Sequence, residues 1–286
     1  MTSTVLALAA LCAVAAAIRS TWSPCGLSML STITPMAERT RGRHWWVTVG
    51  WFVAGATIGG IGLGVVGAVG ALGVSAIGTT ATTALAIAVA AALSAAAMDL
   101  GVAGPELPHH RRQVDEQWLD QYRGWVYGFA FGAQIGSGLA TYIMTAGVYL
   151  TVVLTALTGE PVAALAIGAL FGFARGLAIL LGLRLTTPDR LRRFHRRFES
   201  LRAPVRTAMV AFELLAAAAG ATVLAASGAP VALVAVVVTV TALVATGLTT
   251  TIRRRSRTHP FCDAERAYTD ALGITEPELR PVAPRT

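Results

Sequence analysis

The segment Ser23-Pro24-Cys25-Gly26 holds the residues most able to do covalent chemistry in this sequence. A cysteine thiolate is a nucleophile that exchanges disulfides, and a nearby cation favours that anion. Arg19 precedes Cys25 by one to two helical turns. Pro24 removes a backbone donor and opens any helix that runs through it. Carbonyls freed in this way are tolerated inside an apolar layer only against protein or water. Cys25 is therefore expected to face a cavity, flanked by Pro24 and Gly26. A small buried cysteine can equally be an apolar filler, and the residue types leave both readings open. The chain has three cysteines. Cys12 and Cys25 would lie about 20 Å apart along one helix, against less than about 7 Å between the Cα atoms of a disulfide. Cys262 is the remaining candidate for a resolving thiol.

Charges inside apolar stretches form a second set. Arg19, Arg175 and Glu213 each lie within one. Such residues are costly in lipid, face protein or water, and are functional candidates by default. At helical rise, Arg175 lies about 13 Å before Arg184, and Glu213 about 10 Å after Arg206. Similar depth on sequential antiparallel spans predicts an ion pair between them. That pair would be either a static structural contact or a gate or a proton- or anion-linked site. Asp99 ends an apolar run and reads as an interfacial cap. His109 and His110 lack the surrounding ligand set of a metal site, so no metal is expected. There is no phosphate-binding Gly loop, no pair of carboxylates and no Ser/His/Asp arrangement, and no cofactor is expected.

The elements that position these residues follow from composition. Of 286 residues, 55% are hydrophobic and only 13% charged, where a soluble globular protein carries about 25% charged residues. This excludes a soluble enzyme, a disordered chain and a disulfide-stapled secreted domain. It leaves an all-α polytopic membrane protein. Seven apolar segments run over roughly 4–36, 46–73, 79–100, 124–158, 161–183, 207–226 and 231–252. The first is polar in its middle, and the fourth is long enough to tilt or kink. Leu6–Ala17 could also serve as the apolar part of a signal peptide, but no basic region precedes it.

Every basic residue is an arginine, and the net charge is +8. The arginines gather in the links after spans one, three and five and in the tail. The links around Ser75, Glu160 and Ser227 contain none. Strict alternation argues for loop charge that sets orientation rather than for nucleic-acid binding. It places the N-terminus outside the cell membrane and the tail in the cytoplasm. Around His195, Phe194 and Phe198 sit four apart among arginines and read as an amphipathic helix on anionic headgroups. The expected organisation is a transmembrane domain over 1–252 and a cytoplasmic tail over 253–286.

Two triplets of spans share an order of features: repeat one over about 4–100 and repeat two over about 124–226, with 231–252 as an extra helix. Each opens on a span with a polar, Gly-containing break. Aligning Gly26 with Gly136 also matches Ser31 to Thr141 and Ile33 to Ile143. Each second span is Gly-rich. Three being odd, the second triplet must run opposite to the first, which is an inverted repeat with its site near the midplane between broken helices.

Ser23-Pro24-Cys25, followed by Pro35 and by the Gly136–Gly138 region, resembles the cytochrome c-biogenesis thiol-reductant transporter family (the CcdA/DsbD membrane domain). The resemblance covers roughly 4–226. It implies six core spans in two inverted triplets, with one cysteine in the first helix of each. It also implies transfer of reducing equivalents from cytoplasmic thioredoxin to extracytoplasmic thioredoxin-like proteins. Only Cys25 carries over, because Gln134 and Ile135 stand where the second triplet would repeat Pro24 and Cys25. Reversible exchange needs a resolving thiol, which Cys262 or a partner has to supply.

The leading expectation is a membrane thiol-disulfide transporter-like protein, with the lipid bilayer and thioredoxin-like proteins as partners. Cys25 is its reactive thiol. Pro24, Gly26, Arg19, Gln134, Gly136, Gly138, Arg175 and Glu213 line its cavity. One alternative is a small-solute or ion exporter on the same scaffold, using Arg175, Glu213 and the broken-helix backbone. Another is a non-catalytic membrane subunit that docks a partner through its basic face and tail. Dual-reporter fusions at Ser75, Glu160 and Ser227 should all read extracytoplasmic. A cytoplasmic signal at any one of them breaks the seven-span arrangement.

Overall fold

The computed structural model describes residues 2–101, 123–141 and 143–228. Among these residues every regular element is helical. The order is α1 (Thr2–Ser20), α2 (Pro24–Thr32), α3 (Pro35–Thr40), α4 (Trp45–Ile77), α5 (Ala81–Leu100), α6 (Gly124–Gly136), α7 (Gly147–Leu157) and α8 (Pro161–Leu177). A 3-10 stretch (Ala178–Arg184), α9 (Pro188–Ser200) and α10 (Arg202–Ala226) follow. Five stretches are long and apolar enough to cross a membrane: Ser3–Ser20, Trp45–Ile77, Ala81–Leu100, Pro161–Arg184 and Arg202–Ala226. Large apolar side chains such as Leu11, Val69, Ile77 and Leu215 stand exposed on their outer faces, as a lipid-facing surface requires. The expected seventh span, 231–252, and the tail with Cys262 lie outside the described residues, as does the His109-His110 pair.

Two expected spans are broken at their polar stretches. The first is two helices. α1 alone is long enough to cross, and Pro24 opens a separate helix at its first turn, where a proline costs no hydrogen bond. The Ser23 hydroxyl accepts from Gly26 N at 3.1 Å and caps it. The fourth segment is also broken, at its polar, Gly-containing stretch. α6 ends at Gly136, residues 137–141 and 143–146 are irregular, and Gly138 takes φ +67°, which an L side chain resists. The restart of the helix is set from far away in sequence. The Asp99 carboxylate at the end of α5 accepts from Thr145 Oγ1 and, at 2.6 Å, from Ala146 N, at the start of α7. So Asp99 is a cap, but of another helix.

α4 is the axis of the bundle, with α8 packed on one side of it and α6 and α7 on another. The contacts are backbone to backbone. A Cβ on Gly60 would strike Gly168 and Gly172, one on Gly64 would strike Ala164 and Leu165, and one on Gly172 would strike Ala56 and Gly60. Rising numbers on α4 meet falling numbers on α8, so the two run antiparallel. Gly55 and Gly59 lie against Phe129 and Ala133, so α6 runs parallel to α4. Beyond this axis, α5 packs on α10, and α1 on α7, α8 and α10.

The links sort to two ends. Val5, Ser75, Gly78, Thr79, Thr158 and Gly159 surround one cavity. At the opposite end, Arg39, Arg43, Trp46, Leu183 and Thr186 surround a second. Among the described residues, the arginine-bearing links around 39–43 and 183–186 thus lie apart from the arginine-free links around 75–79 and 158–159. Trp46, Trp51 and Trp125 are exposed near the arginine end, where aromatic side chains favour a membrane interface.

The glycine contacts make a graded prediction. Gly168→Leu forces α8 off α4 and should cost roughly 1–3 kcal/mol or more, read as folded yield and thermal stability in detergent. Gly62→Leu, on a face of α4 with nothing within 4 Å, should leave both unchanged. Equal effects would show that α4 and α8 do not meet through their glycines.

Candidate functional site

Cys25 sits in the first turn of α2, 2% exposed. The break before it turns α2 back against the 3-10 stretch after α8. Its thiol enters a cluster with Trp22, Met29, Phe52, Tyr127, Phe131 and Ile135. Arg175 on α8 lies within electrostatic reach of it. Arg175 is 2% exposed, and its Nε and Nη2 have no hydrogen-bond partner. Its guanidinium lies 6.0 Å from the centre of the Phe171 ring, one turn earlier on the same helix face. Phe171 in turn fills the space where a Cβ on Gly138 would stand.

The two sequence breaks therefore meet here. Cys25 from the first and Ile135 from the second share one cluster, and Gly138 closes on the ring beneath Arg175. Gly136 presses on Ala56 of α4 and Gly26 on the Thr21 carbonyl. Gln134 is half-buried, and its carbonyl accepts from Ser137 Oγ at 2.7 Å as α6 ends. Chemically, the centre offers a thiol near a buried cation in a packed, aromatic cluster. Such a cation stabilises negative charge that forms on sulfur during exchange.

Other expected site residues lie elsewhere. Arg19 is not the cation at Cys25. Its charged neighbours are Asp99, Arg202 and Arg206, since α1 ends beside α5 and the start of α10. Glu213 is fully buried with both carboxylate oxygens unpartnered. Its charged neighbour is Asp99, and Cys12 lies in reach of both. Cys12 donates to the Gly147 carbonyl at 3.6 Å and accepts from Thr151 Oγ1 at 3.6 Å. Neither Cys12 nor Cys25 is in a disulfide.

The expected Arg175–Glu213 ion pair is absent among the described residues. Equal depth does not fix the direction a side chain takes around a bundle. α8 turns Arg175 toward Cys25, while α10 turns Glu213 toward α1 and α5. The helix α9 is amphipathic as expected, but its apolar side covers protein. Phe198 stacks on Trp22 with ring centres 4.4 Å apart, the Trp22 indole donates to the Phe198 carbonyl at 2.8 Å, and His195 lies 3.1 Å from the Ser31 hydroxyl. Phe171, Tyr127 and Phe131 went unnoticed in the sequence. The four-residue spacing of Phe171 and Arg175 was the signal available.

The chain is similar to proteins named Methylamine utilization protein MauF. It is 32% identical to that of Paracoccus denitrificans over 187 residues, covering 62% of this chain and 64% of the relative. It is 28% identical to that of Paracoccus versutus over 174 residues, covering 60% and 64%. With that of Methylophilus methylotrophus the identity is 27% over 162 residues, covering 56% of each. The matched stretch thus spans less than two thirds of these relatives. No family model and no solved structure matches.

Two unpaired buried charges make a prediction opposite to that of an ion pair. The stability changes of Arg175→Met and Glu213→Gln should add in the double mutant to within about 0.5 kcal/mol. Glu213→Gln, which keeps the shape and removes the charge, should hold or raise the melting temperature. A double mutant markedly more stable than the sum of the singles would restore the pair.

Proposed function

We propose that this chain is a membrane protein of methylamine utilization, with a thiol centre at Cys25 and Arg175, on a scaffold of two inverted three-helix repeats. The observation that carries the reading is the buried Arg175, whose Nε and Nη2 lack hydrogen-bond partners, within electrostatic reach of the buried thiol of Cys25. A buried charge without its full set of hydrogen bonds lowers stability inside an apolar bundle, which favours a chemical role over a structural one. The helix pairs support the repeat. Second spans α4 and α8 pack together, as do third spans α5 and α10, and each triplet's first span packs on the other's second. The arginine links support an outside N-terminus and a cytoplasmic tail. The names of the relatives support the physiological setting.

In this reading the Cys25 thiolate attacks a disulfide of a thioredoxin-like partner. The partner's S–S bond breaks, one of its sulfurs leaves as a thiolate, and a mixed disulfide forms on Cys25. A second thiol, from Cys262 or another partner, attacks the Cys25 sulfur and frees the first partner as a dithiol. A dithiol donor then reduces the disulfide left on Cys25 and becomes oxidised, so two electrons pass from donor to acceptor. A second reading, small-solute or ion export, draws on Glu213, whose buried oxygens have no partner.

Deleting the gene in its native host should abolish growth on methylamine, and the wild-type copy should restore it. Cys25→Ser should fail to restore it while reaching the membrane in normal amount. Arg175→Lys, which keeps the charge, should restore it better than Arg175→Met. Growth unaffected by the deletion overturns the methylamine setting. Full restoration by Cys25→Ser overturns the thiol centre and favours export.

A further inference from the structure

We propose that the arginine end of the bundle holds a binding site for a phosphate-type anion, built by Arg19, Arg202 and Arg206. These three side chains line a cavity of about 640 Å³ together with Leu100, Met144, Glu199, Thr207 and Val210. It is separate from the Cys25 centre, none of whose residues line it.

Arg19 is the buried member of the site. It is 5% exposed, and its Nε and Nη1 have no hydrogen-bond partner although they belong to a residue on the cavity wall. Two donors of a rigid, planar guanidinium left without acceptors are costly in a buried place. They match the fork geometry that binds phosphate or carboxylate oxygens.

The surrounding charges keep the cavity positive. Arg206 is anchored rather than neutralised, because its Nε and Nη2 donate to the Asp99 and Leu100 carbonyls at 2.9 Å each. Arg202 pairs with Glu199 at 2.8 Å. The Asp99 carboxylate lies within electrostatic reach of Arg19, but its oxygens are taken by Thr145 and Ala146 at the start of α7. Three guanidinium groups thus face one lining carboxylate. The cavity has room for a phosphate and for the glycerol of a lipid headgroup. Its place at the arginine end, where Leu100 and α10 begin to leave the apolar layer, gives access both to lipid and to aqueous anions.

The test uses the full chain in nanodiscs of phosphatidylcholine alone, with thermal stability as the readout. Two probes are added separately: inorganic phosphate in solution, and phosphatidylglycerol in the nanodisc. At least one should raise the melting temperature in a saturable manner. Phosphate acting in pure phosphatidylcholine identifies a free-anion site, and phosphatidylglycerol acting without phosphate identifies a headgroup site. Arg19→Gln should weaken the effective probe about tenfold or more, the loss expected for a charge-assisted contact. Arg202→Gln, a change at an exposed side chain, should weaken it several-fold and serves if Arg19→Gln fails to fold. Arg192→Gln, on the exposed face of α9, should not change it. The proposal is overturned if neither probe stabilises the chain, or if the stabilisation survives in both Arg19→Gln and Arg202→Gln.

Discussion

The backbone of α4 touches the backbones of α6 and α8, and the rest of the structure depends on that closeness. Ala56, Gly60 and Gly64 interleave with Ala164, Gly168 and Gly172 along one side. Gly55 and Gly59 meet Phe129 and Ala133 along another. In lipid there is no hydrophobic gain from bringing two helices together, so van der Waals contact between small residues has to supply the attraction. Once α8 is held this close, Phe171 and Arg175 are fixed relative to α6. The ring then fills the space above Gly138, and the guanidinium lies within electrostatic reach of Cys25 on α2.

Among the described residues, three buried ionisable side chains lack hydrogen-bond partners on part or all of their polar atoms: Arg19, Arg175 and Glu213. A fold selected only for stability would replace or pair them. They fall in three surroundings: Arg19 beside the cavity at the arginine end, Arg175 beside a thiol and an aromatic ring, Glu213 near Cys12 and Asp99. The satisfied polar groups do the structural work. Asp99 starts α7, Arg206 closes α5 on the Asp99 and Leu100 carbonyls, and the fully buried Glu38 accepts from Thr48 at 2.6 Å and holds α3 to α4.

Hydropathy and arginine spacing made the helical, membrane-type architecture legible, because burial in lipid leaves few alternatives for the backbone. The glycine pattern was legible as close packing, but not the partner of each glycine. The break in the fourth segment was legible in its polar, Gly-containing stretch, but not what restarts the helix, because Asp99 lies 46 positions from Thr145. Cys25 and the Gly136–Gly138 region were identifiable from local chemistry. Their meeting at Arg175 was not, because it depends on α2 folding back after Ser23. Nearness in sequence points to Arg19 as the cation at Cys25, yet the turn at 21–23 separates them. Spacing predicts neighbours along one helix and fails once the chain reverses.

The most direct test of the thiol centre is the redox state of Cys25 in native membranes. Cells are quenched in acid, free thiols are blocked with a maleimide, and bonds released by reductant are then tagged with a second, heavier maleimide. Peptide mapping separates Cys25 from Cys12. The account predicts that a fraction of Cys25 carries the second tag, that this fraction changes when the cell's supply of thiol reductant changes, and that it falls sharply in Arg175→Met, while Cys12 carries only the first tag or none. A Cys25 that stays a free thiol under every condition would contradict it.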